Sequence, residues 1–259
     1  MNRIVRGMIV MLVGVTAQIV VAQAGDICSG EHIANRVGEV YNAYTEQGAS
    51  DLESSLNGIA SLESQLDAIY SECNEVRYQA YVEEGRALLE DLREGGYVIY
   101  VRHARTDNAQ EDTDLAPCET QRNLSEQGRL DAASIGETWA TLAVPVGELI
   151  STEYCRTRES AQLAFGEPNI IPKAQLEQAL ETLLAIPPAE GMNTVIVGHV
   201  DLLEAATGIS IPEDIRFNEG DALVYRPLGG PMGDQGYELV TRISFLNWFD
   251  LARIAAEPE

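Results

Sequence analysis

Two of the three histidines in this 259-residue chain stand at the ends of apolar runs. Tyr97-Val98-Ile99-Tyr100-Val101, preceded by Gly95-Gly96, delivers Arg102-His103, and Thr194-Val195-Ile196-Val197-Gly198 delivers His199. A third segment, Ser151-Thr152-Glu153-Tyr154-Cys155-Arg156, brings an arginine to the start of an expected helix. Arg102, His103, Arg156 and His199 together have the makings of an oxyanion pocket. Two guanidinium groups can grip a tetrahedral oxyanion through paired N–H bonds. A helix N-terminus adds backbone donors and a favourable dipole. A neutral imidazole among such cations is a competent nucleophile toward phosphorus, because neighbouring positive charge disfavours imidazolium. For one ring nitrogen to attack, the other should donate to a backbone carbonyl. The second histidine would hold a phosphoryl oxygen as charge spreads. That is phosphoryl transfer by positioning and electrostatics, with no metal and no cofactor required.

The elements that carry these residues follow from the pattern around them. Short apolar runs rich in β-branched and aromatic residues read as buried parallel strands, and in open α/β sheets ligands bind beyond the carboxyl ends of the strands. Strand 97–103 precedes a polar loop and a helix from about Ser125 to Leu142. Strand 147–152 leads to helix 156–165, and a short strand at 169–172 to helix 174–185. Strand 193–199 runs into a short helix ending at Gly208. Late strands 221–227 and 237–245 flank a Gly-rich connection and predict an antiparallel hairpin, followed by a terminal helix. The alternation predicts an α/β fold, a three-layer α/β/α sandwich with a mostly parallel sheet. Before it, residues 26–94 read as helical. Ile33, Val37, Val40, Tyr41 and Tyr44 keep helical spacing, Asp51 is an N-cap, and Leu52 to Ile69 repeats every three or four residues. A third helix runs from about Glu75 to Arg93 and stops at Gly95-Gly96. The expected division is residues 1–24, 25–84 and 85–259. The helical stripe is read as a hairpin core, with a cap or dimerisation arm as the alternative.

Residues 1–24 read as a secretory signal peptide: Arg3 and Arg6, an apolar run from Met8 to Val21, and the cleavage site Ala22-Gln23-Ala24. An uncleaved anchor is the alternative, although the run is short of the roughly 20 residues that span a bilayer. Cleavage after Ala24 predicts a periplasmic or secreted protein with no stable membrane span. It also takes the formal net charge from −24 to −26 by removing two arginines. So acidic a chain argues against a nucleic-acid partner. Lys173 is the sole lysine, and six of the 16 arginines (Arg102, Arg105, Arg122, Arg129, Arg156 and Arg158) fall between residues 102 and 158. Screening over about 8 Å lets a local positive pocket act independently of the distant acidic surface. Export permits disulfides. The four cysteines lack the CxxC-type ligand pairs of a zinc site. Pairing Cys28 with Cys73 and Cys118 with Cys155 keeps each bridge inside one region, and buried free thiols are the alternative.

Four segments, in order and over about residues 85–245, resemble the histidine phosphatase superfamily, which includes phosphoglycerate mutases and many phosphatases. Arg102-His103-Ala104 is similar to its Arg-His-Gly tripeptide. Leu124-Ser125-Glu126-Gln127-Gly128 resembles its Leu-Ser/Thr-x-x-Gly helix start. Ser151, Arg156 and Ser160-Ala161 are similar to its later Ser, Arg and Thr/Ser-Ala positions, and Gly198-His199 to its final Gly/Ser-His. The resemblance implies that His103 is the phosphorylated nucleophile and that Arg102, Arg156 and His199 complete the phosphate pocket.

The chain departs from that pattern in two places. Arg105 stands where many members have Glu; it either favours a more anionic substrate or is a surface change. The proton donor is unassigned by the motifs. Val200 separates His199 from Asp201, Glu167 and Glu177 lack the expected surroundings, and Asp221, after Gly220, ranks first among the carboxylates. Without a donor, such an enzyme suits substrates with good leaving groups. The third histidine, His32, reads as a surface residue. The expected function is an exported, metal-independent phosphatase acting on phosphate monoesters, small or attached to a macromolecule. A non-catalytic phosphate or phosphosugar binder and an envelope interaction protein working through its helical region are the alternatives. Oligomeric state and substrate identity are not legible.

Overall fold

The computed structural model describes residues 39–40, 42–44, 51–71, 75–114, 117–207, 217–229 and 236–257. The signal segment, His32, Cys28 and Cys73 lie outside the described residues, as do Ile33 and Val37. Among the described residues no helix is long and apolar enough to cross a membrane.

Residues 39–40 and 42–44 are helical. Helices α1 (Leu52–Ser71) and α2 (Glu75–Glu94) follow, then β1 (Val98–Arg102), α3 (Glu126–Leu142), β2 (Val146–Thr152), α4 (Cys155–Ala164), β3 (Asn169–Ile171), α5 (Lys173–Ala185), β4 (Asn193–Gly198), α6 (Val200–Thr207), β5 (Ala222–Pro227), β6 (Tyr237–Ile243) and α7 (Phe245–Ala256). Local chemistry sets several of these bounds. Asp51 accepts the Ser54 N–H at 2.7 Å and starts α1, while Ser125 accepts the Gly128 N–H at 2.9 Å and starts α3. Ser244 and Asn247 form a reciprocal capping box on α7. A single 3-10 turn, Cys118–Thr120, interrupts the loop after β1; the polar composition there gave no periodic signal for it.

The six strands order as β3-β2-β4-β1-β5-β6. The first four are mutually parallel, and β5 runs antiparallel to both β1 and β6. Side chains alternate across the sheet with a period of two. Val98, Tyr100, Ile150, Ile196, Leu223 and Tyr225 face one core with Leu176, Leu180 and Leu184 of α5 and Leu202 and Leu203 of α6. Ile99, Val101, Val195, Val197 and Val224 face the other, against Trp139 of α3 and Trp248, Phe249 and Ile254 of α7. Both faces are covered, which is why the strands read as continuous apolar runs. The result is a three-layer α/β/α sandwich with a mostly parallel sheet.

The expected division at residue 84 falls inside α2, which is continuous from Glu75 to Glu94. Val40, Tyr44, Ile59 and Leu62 join the same buried cluster as Leu89, Leu92 and Trp248. So short a helical segment buries little surface by itself, and it completes its core on α3 and α7 instead.

Candidate active site

In the β1·β4 ladder Arg102 is paired with Gly198. The next residue of each strand is a histidine, so the register alone brings His103 and His199 side by side. Their ring centroids are 5.1 Å apart at 66°. β2 lies on the other side of β4 and hands the chain to α4, whose first turn carries Arg156. Three adjacent strand ends therefore converge on one spot, as the sequence pattern predicts.

The loop that carries His103 is tied on every side. His103 N–H donates to Gly198 O at 3.1 Å, and His103 Nδ1 lies 2.8 Å from Ala104 O. That bond selects the tautomer with hydrogen on Nδ1 and leaves Nε2 with its lone pair. Ala104 N–H donates to Ser160 Oγ at 2.9 Å, and the Ser160 hydroxyl donates to Arg156 O at 2.7 Å. Ser160 thus connects the loop that carries His103 to α4. Gly128 packs so closely under this loop that a Cβ there would meet Arg105 O at 1.9 Å. At Gly198 a Cβ would meet the Tyr100 hydroxyl at 2.2 Å, the same hydroxyl that donates to His199 O at 2.7 Å. Both glycines of the sequence motifs have a steric cause.

The electrostatics favour neutral imidazoles. Burial is the first cause pushing His103 down to about 3, with Arg156, Arg102 and Arg122 adding to it and the bond to Ala104 O opposing. His199 is pushed down to about 2, again by burial first, then by His103 and Arg156. Sequence reasoning assigned this effect to the arginines alone; the structure puts burial ahead of them.

Three buried polar atoms at the site have no hydrogen-bond partner among the described residues: Arg102 Nε and both ring nitrogens of His199. Buried polar atoms are rarely left so, and a cation beside two imidazoles is matched by an anion rich in acceptor oxygens. Arg156 is held more firmly. Its Nη1 donates to Asp112 Oδ1 at 2.9 Å and to Arg122 O at 3.1 Å, and its guanidinium lies 4.6 Å from the Tyr154 ring centroid. The Tyr154 ring in turn meets His199 edge-on at 4.8 Å. The Cys118–Cys155 disulfide forms, with a Cα–Cα distance of 5.8 Å. Gln121 Oε1 accepts the Cys155 N–H at 2.9 Å, so the loop after β1 is fastened directly beside Arg156.

Asp221, expected to be the proton donor, has a different role. Its Oδ2 accepts from Arg242 and from Asn218 N–H, and its Oδ1 from Phe245 N–H. With 1% of its side chain exposed, it anchors a turn and is spent on the fold. Burial raises its pKa, opposed by Arg242. Glu167 accepts from Gln162, Asp201 pairs with Lys173 at 2.6 Å, and Glu177 is exposed on α5. Arg105 is also redirected. Its Nε and Nη2 donate to Asp131 of α3 at 2.5 and 2.9 Å, so it is neither a surface change nor a substrate-facing cation. The residue that sequence reasoning missed is Glu219, on the other side of Gly220 from Asp221; its Oε1 accepts the Thr106 hydroxyl at 3.1 Å and lies 4.0 Å from His103 Nδ1. The acid-Gly-acid run Glu219-Gly220-Asp221 was the available signal.

Among the described residues no three His, Cys, Asp or Glu side chains group as metal ligands. A cavity of about 390 Å³, lined by Gly147, Glu148, Leu183, Pro187 and Asn193 among others, lies at the opposite end of β2 and β4 and contains none of the four residues.

No protein-family model matches the chain, and no curated protein does. Solved structures of similar architecture are found. One, from Agrobacterium tumefaciens, is described as a phosphohistidine phosphatase, SixA; it is 21% identical, covering 57% of this chain and 97% of that one, with a TM-score of 0.41. A protein of the same description from Nakamurella multipartitia is 20% identical over 57% and 94% of the two chains, TM-score 0.41. A phosphoserine phosphatase from Entamoeba histolytica, solved with phosphoserine, is 11% identical over 57% and 97%, TM-score 0.40. At such identities and scores the chemistry has to be read from the site itself.

Proposed function

We propose that this protein is an exported, metal-independent phosphatase that hydrolyses phosphate monoesters through a phosphohistidine on His103. The observation that carries the reading is the unpartnered trio of Arg102 Nε and the two His199 ring nitrogens, buried beside a second imidazole whose Nε2 is free to attack.

In this reading the phosphoryl group sits between the rings, its oxygens taken by Arg102, Arg156 and His199. The Nε2 lone pair of His103 attacks phosphorus, the ester P–O bond breaks, and its electron pair leaves with the alcohol oxygen. Water then attacks phosphorus, the N–P bond breaks, and its electrons return to Nε2; the water passes one proton to solvent, and the departed oxygen takes one from solvent. Fixed cations around the three oxygens stabilise charge as it develops and need no reorganisation. Asp221, Glu167, Asp201 and Glu177 are all engaged elsewhere or exposed. The leaving group therefore departs with little help from a carboxylic acid, which favours substrates with good leaving groups, such as aryl phosphates.

Replacing His103 with Ala and following an aryl phosphate tests this: turnover should vanish while the fold, followed by circular dichroism, persists. Unchanged turnover removes the claim. The engagement of those carboxylates favours one second reading, a phosphate or phosphosugar binder that does no chemistry. Tight calorimetric binding of inorganic phosphate beside a null assay with the unsubstituted protein would establish it.

A further inference from the structure

Residues 217–221, just before β5, are stitched to the end of β1. Gly220 N–H is shared between Arg102 O and His103 O at 3.2 Å each, and Arg102 N–H donates to Asp221 O at 2.9 Å. Arg102 Nη1 donates to Phe217 O at 2.6 Å, and Trp248 Nε1 donates to Gly220 O at 3.1 Å. Gly220 has φ 85°, in the region where only glycine is unstrained. That turn sends the two acids flanking it to different places. Asp221 goes to Arg242, and Glu219 goes to the nucleophile.

One oxygen of Glu219, Oε1, stands between three groups. It accepts the Thr106 hydroxyl at 3.1 Å, and it is 4.0 Å both from His103 Nδ1 and from Arg122 Nη2. Glu219 is the one carboxylate within 4.0 Å of His103 among the described residues. The cations near that ring are Arg102, Arg122 and Arg156. A phosphoryl group on Nε2 leaves the ring with hydrogen on Nδ1 and a positive charge shared by both nitrogens. Three guanidinium groups oppose that charge, and a carboxylate beside Nδ1 offsets it.

We propose that Glu219 is a positioning residue for His103. It is held in place by the Thr106 hydroxyl and neutralises the positive charge that the imidazole acquires when its far nitrogen takes the phosphoryl group. This rests on the phosphohistidine reading above. Glu219 does not touch the transferred group; it acts through the ring. The covalent step gains no extra proton transfer: the Nε2–P bond forms as the ester P–O bond breaks, and the hydrogen stays on Nδ1, donated to Ala104 O throughout. Arg122 Nη2, 4.0 Å from the same oxygen, helps aim Glu219 and counts as part of the same device.

The test compares Glu219→Gln and Glu219→Asp with the unsubstituted protein. Gln preserves shape and an acceptor for Thr106 while removing the charge. With an aryl phosphate, Glu219→Gln should lower kcat by about 10- to 100-fold, the range expected for one partly screened charge at this distance, with KM little changed. Glu219→Asp should recover part of the loss. Without substrate, the Nδ1 resonance of His103 in 15N spectra, assigned with the help of His103→Ala, should move on Glu219→Gln. A kcat equal to the parent's, or an unmoved Nδ1 resonance, overturns the proposal. If the parent protein hydrolyses no phosphate ester, the phosphohistidine reading falls, while the 15N comparison still decides whether Glu219 and His103 are coupled.

Discussion

Tyr44 donates its hydroxyl to Asp131 at 3.1 Å, and the same carboxylate takes two N–H bonds from Arg105, two residues after His103. Gln127 adds a third donor to that carboxylate, at 3.1 Å, and reaches the Tyr44 oxygen at 3.2 Å. Ser55 of α1 shares hydrogen bonds with Tyr44 at 3.0 Å and with Ser134 at 3.3 Å. The N-terminal helices are thus wired, through one buried aspartate, to the loop that carries His103. Burial and the nearby Asp131 charge raise the Tyr44 pKa, so the hydroxyl stays a donor.

Tyr44→Phe removes that donor and leaves the ring packing intact. Loss of the hydroxyl's bonds to Asp131, Ser55 and Gln127 should cost about 2–4 kcal/mol of stability. It should also lower kcat severalfold with KM nearly constant, because the slack appears beside His103 and not in the phosphate contacts. A kcat equal to the parent's, measured on folded protein, would show that the helices merely sit on the domain.

The Cys118–Cys155 bridge closes a 37-residue separation, worth about 4 kcal/mol in the chain-entropy account. Its more specific effect is to fasten the loop whose Asp112 and Arg122 O hold Arg156. Mild reduction should lower kcat/KM more than it lowers helical content by circular dichroism. Equal activity with and without reductant would refute that role.

His199 should make the fold acid-sensitive. The unfolded chain takes up a proton on this residue near pH 6.5, which the folded site refuses until about 2. Stability from this group is complete above pH 6.5 and drains away as pH falls below it. Melting temperatures of the parent and His199→Asn should diverge in the variant's favour between pH 7 and pH 4. Parallel curves would mean that the imidazole protonates freely in the fold.

Asp250 should do the opposite. Burial first, then Asp67 and Glu257, raise its pKa from 3.8 to about 6, against the pull of Arg253, and its Oδ2 has no partner among the described residues. A raised carboxylate is a folded-state proton sink, so its contribution is best at low pH and lost as pH rises through about 6. Asp250→Asn should gain on the parent by roughly 2–3 kcal/mol between pH 4 and pH 7.5, read as a rising difference in melting temperature. A pH-independent difference would exclude the shift.

The strands, their order of appearance and the meeting of Arg102, His103, Arg156 and His199 were legible because apolar runs mark buried strands and strand ends mark one edge of a sheet. The two glycine motifs, one at a helix start and one at a strand end, were legible as patterns, but their cause, a missing Cβ against Arg105 O and against the Tyr100 hydroxyl, lies in the tertiary packing. The destination of Arg105 was not legible, because Asp131 is 26 residues away and no periodicity links them. The choice between Glu219 and Asp221 was hidden for a local reason. A left-handed glycine between them reverses which acid faces the pocket, and the residue types alone do not encode that turn.

The pairing of Arg102 with Gly198 has a further consequence. The spacing of the two histidines is set by main-chain bonds between two central strands of the sheet, of the kind that open least readily. The loop between residues 107 and 114 lies outside this ladder and reaches Arg156 through the Asp112 side chain. Segments there that keep Asp112 can be exchanged or lengthened while the two histidines keep their separation. A scaffold so arranged lets its rim vary in length and sequence while the strand ends, with Asp112 on Arg156, stay fixed.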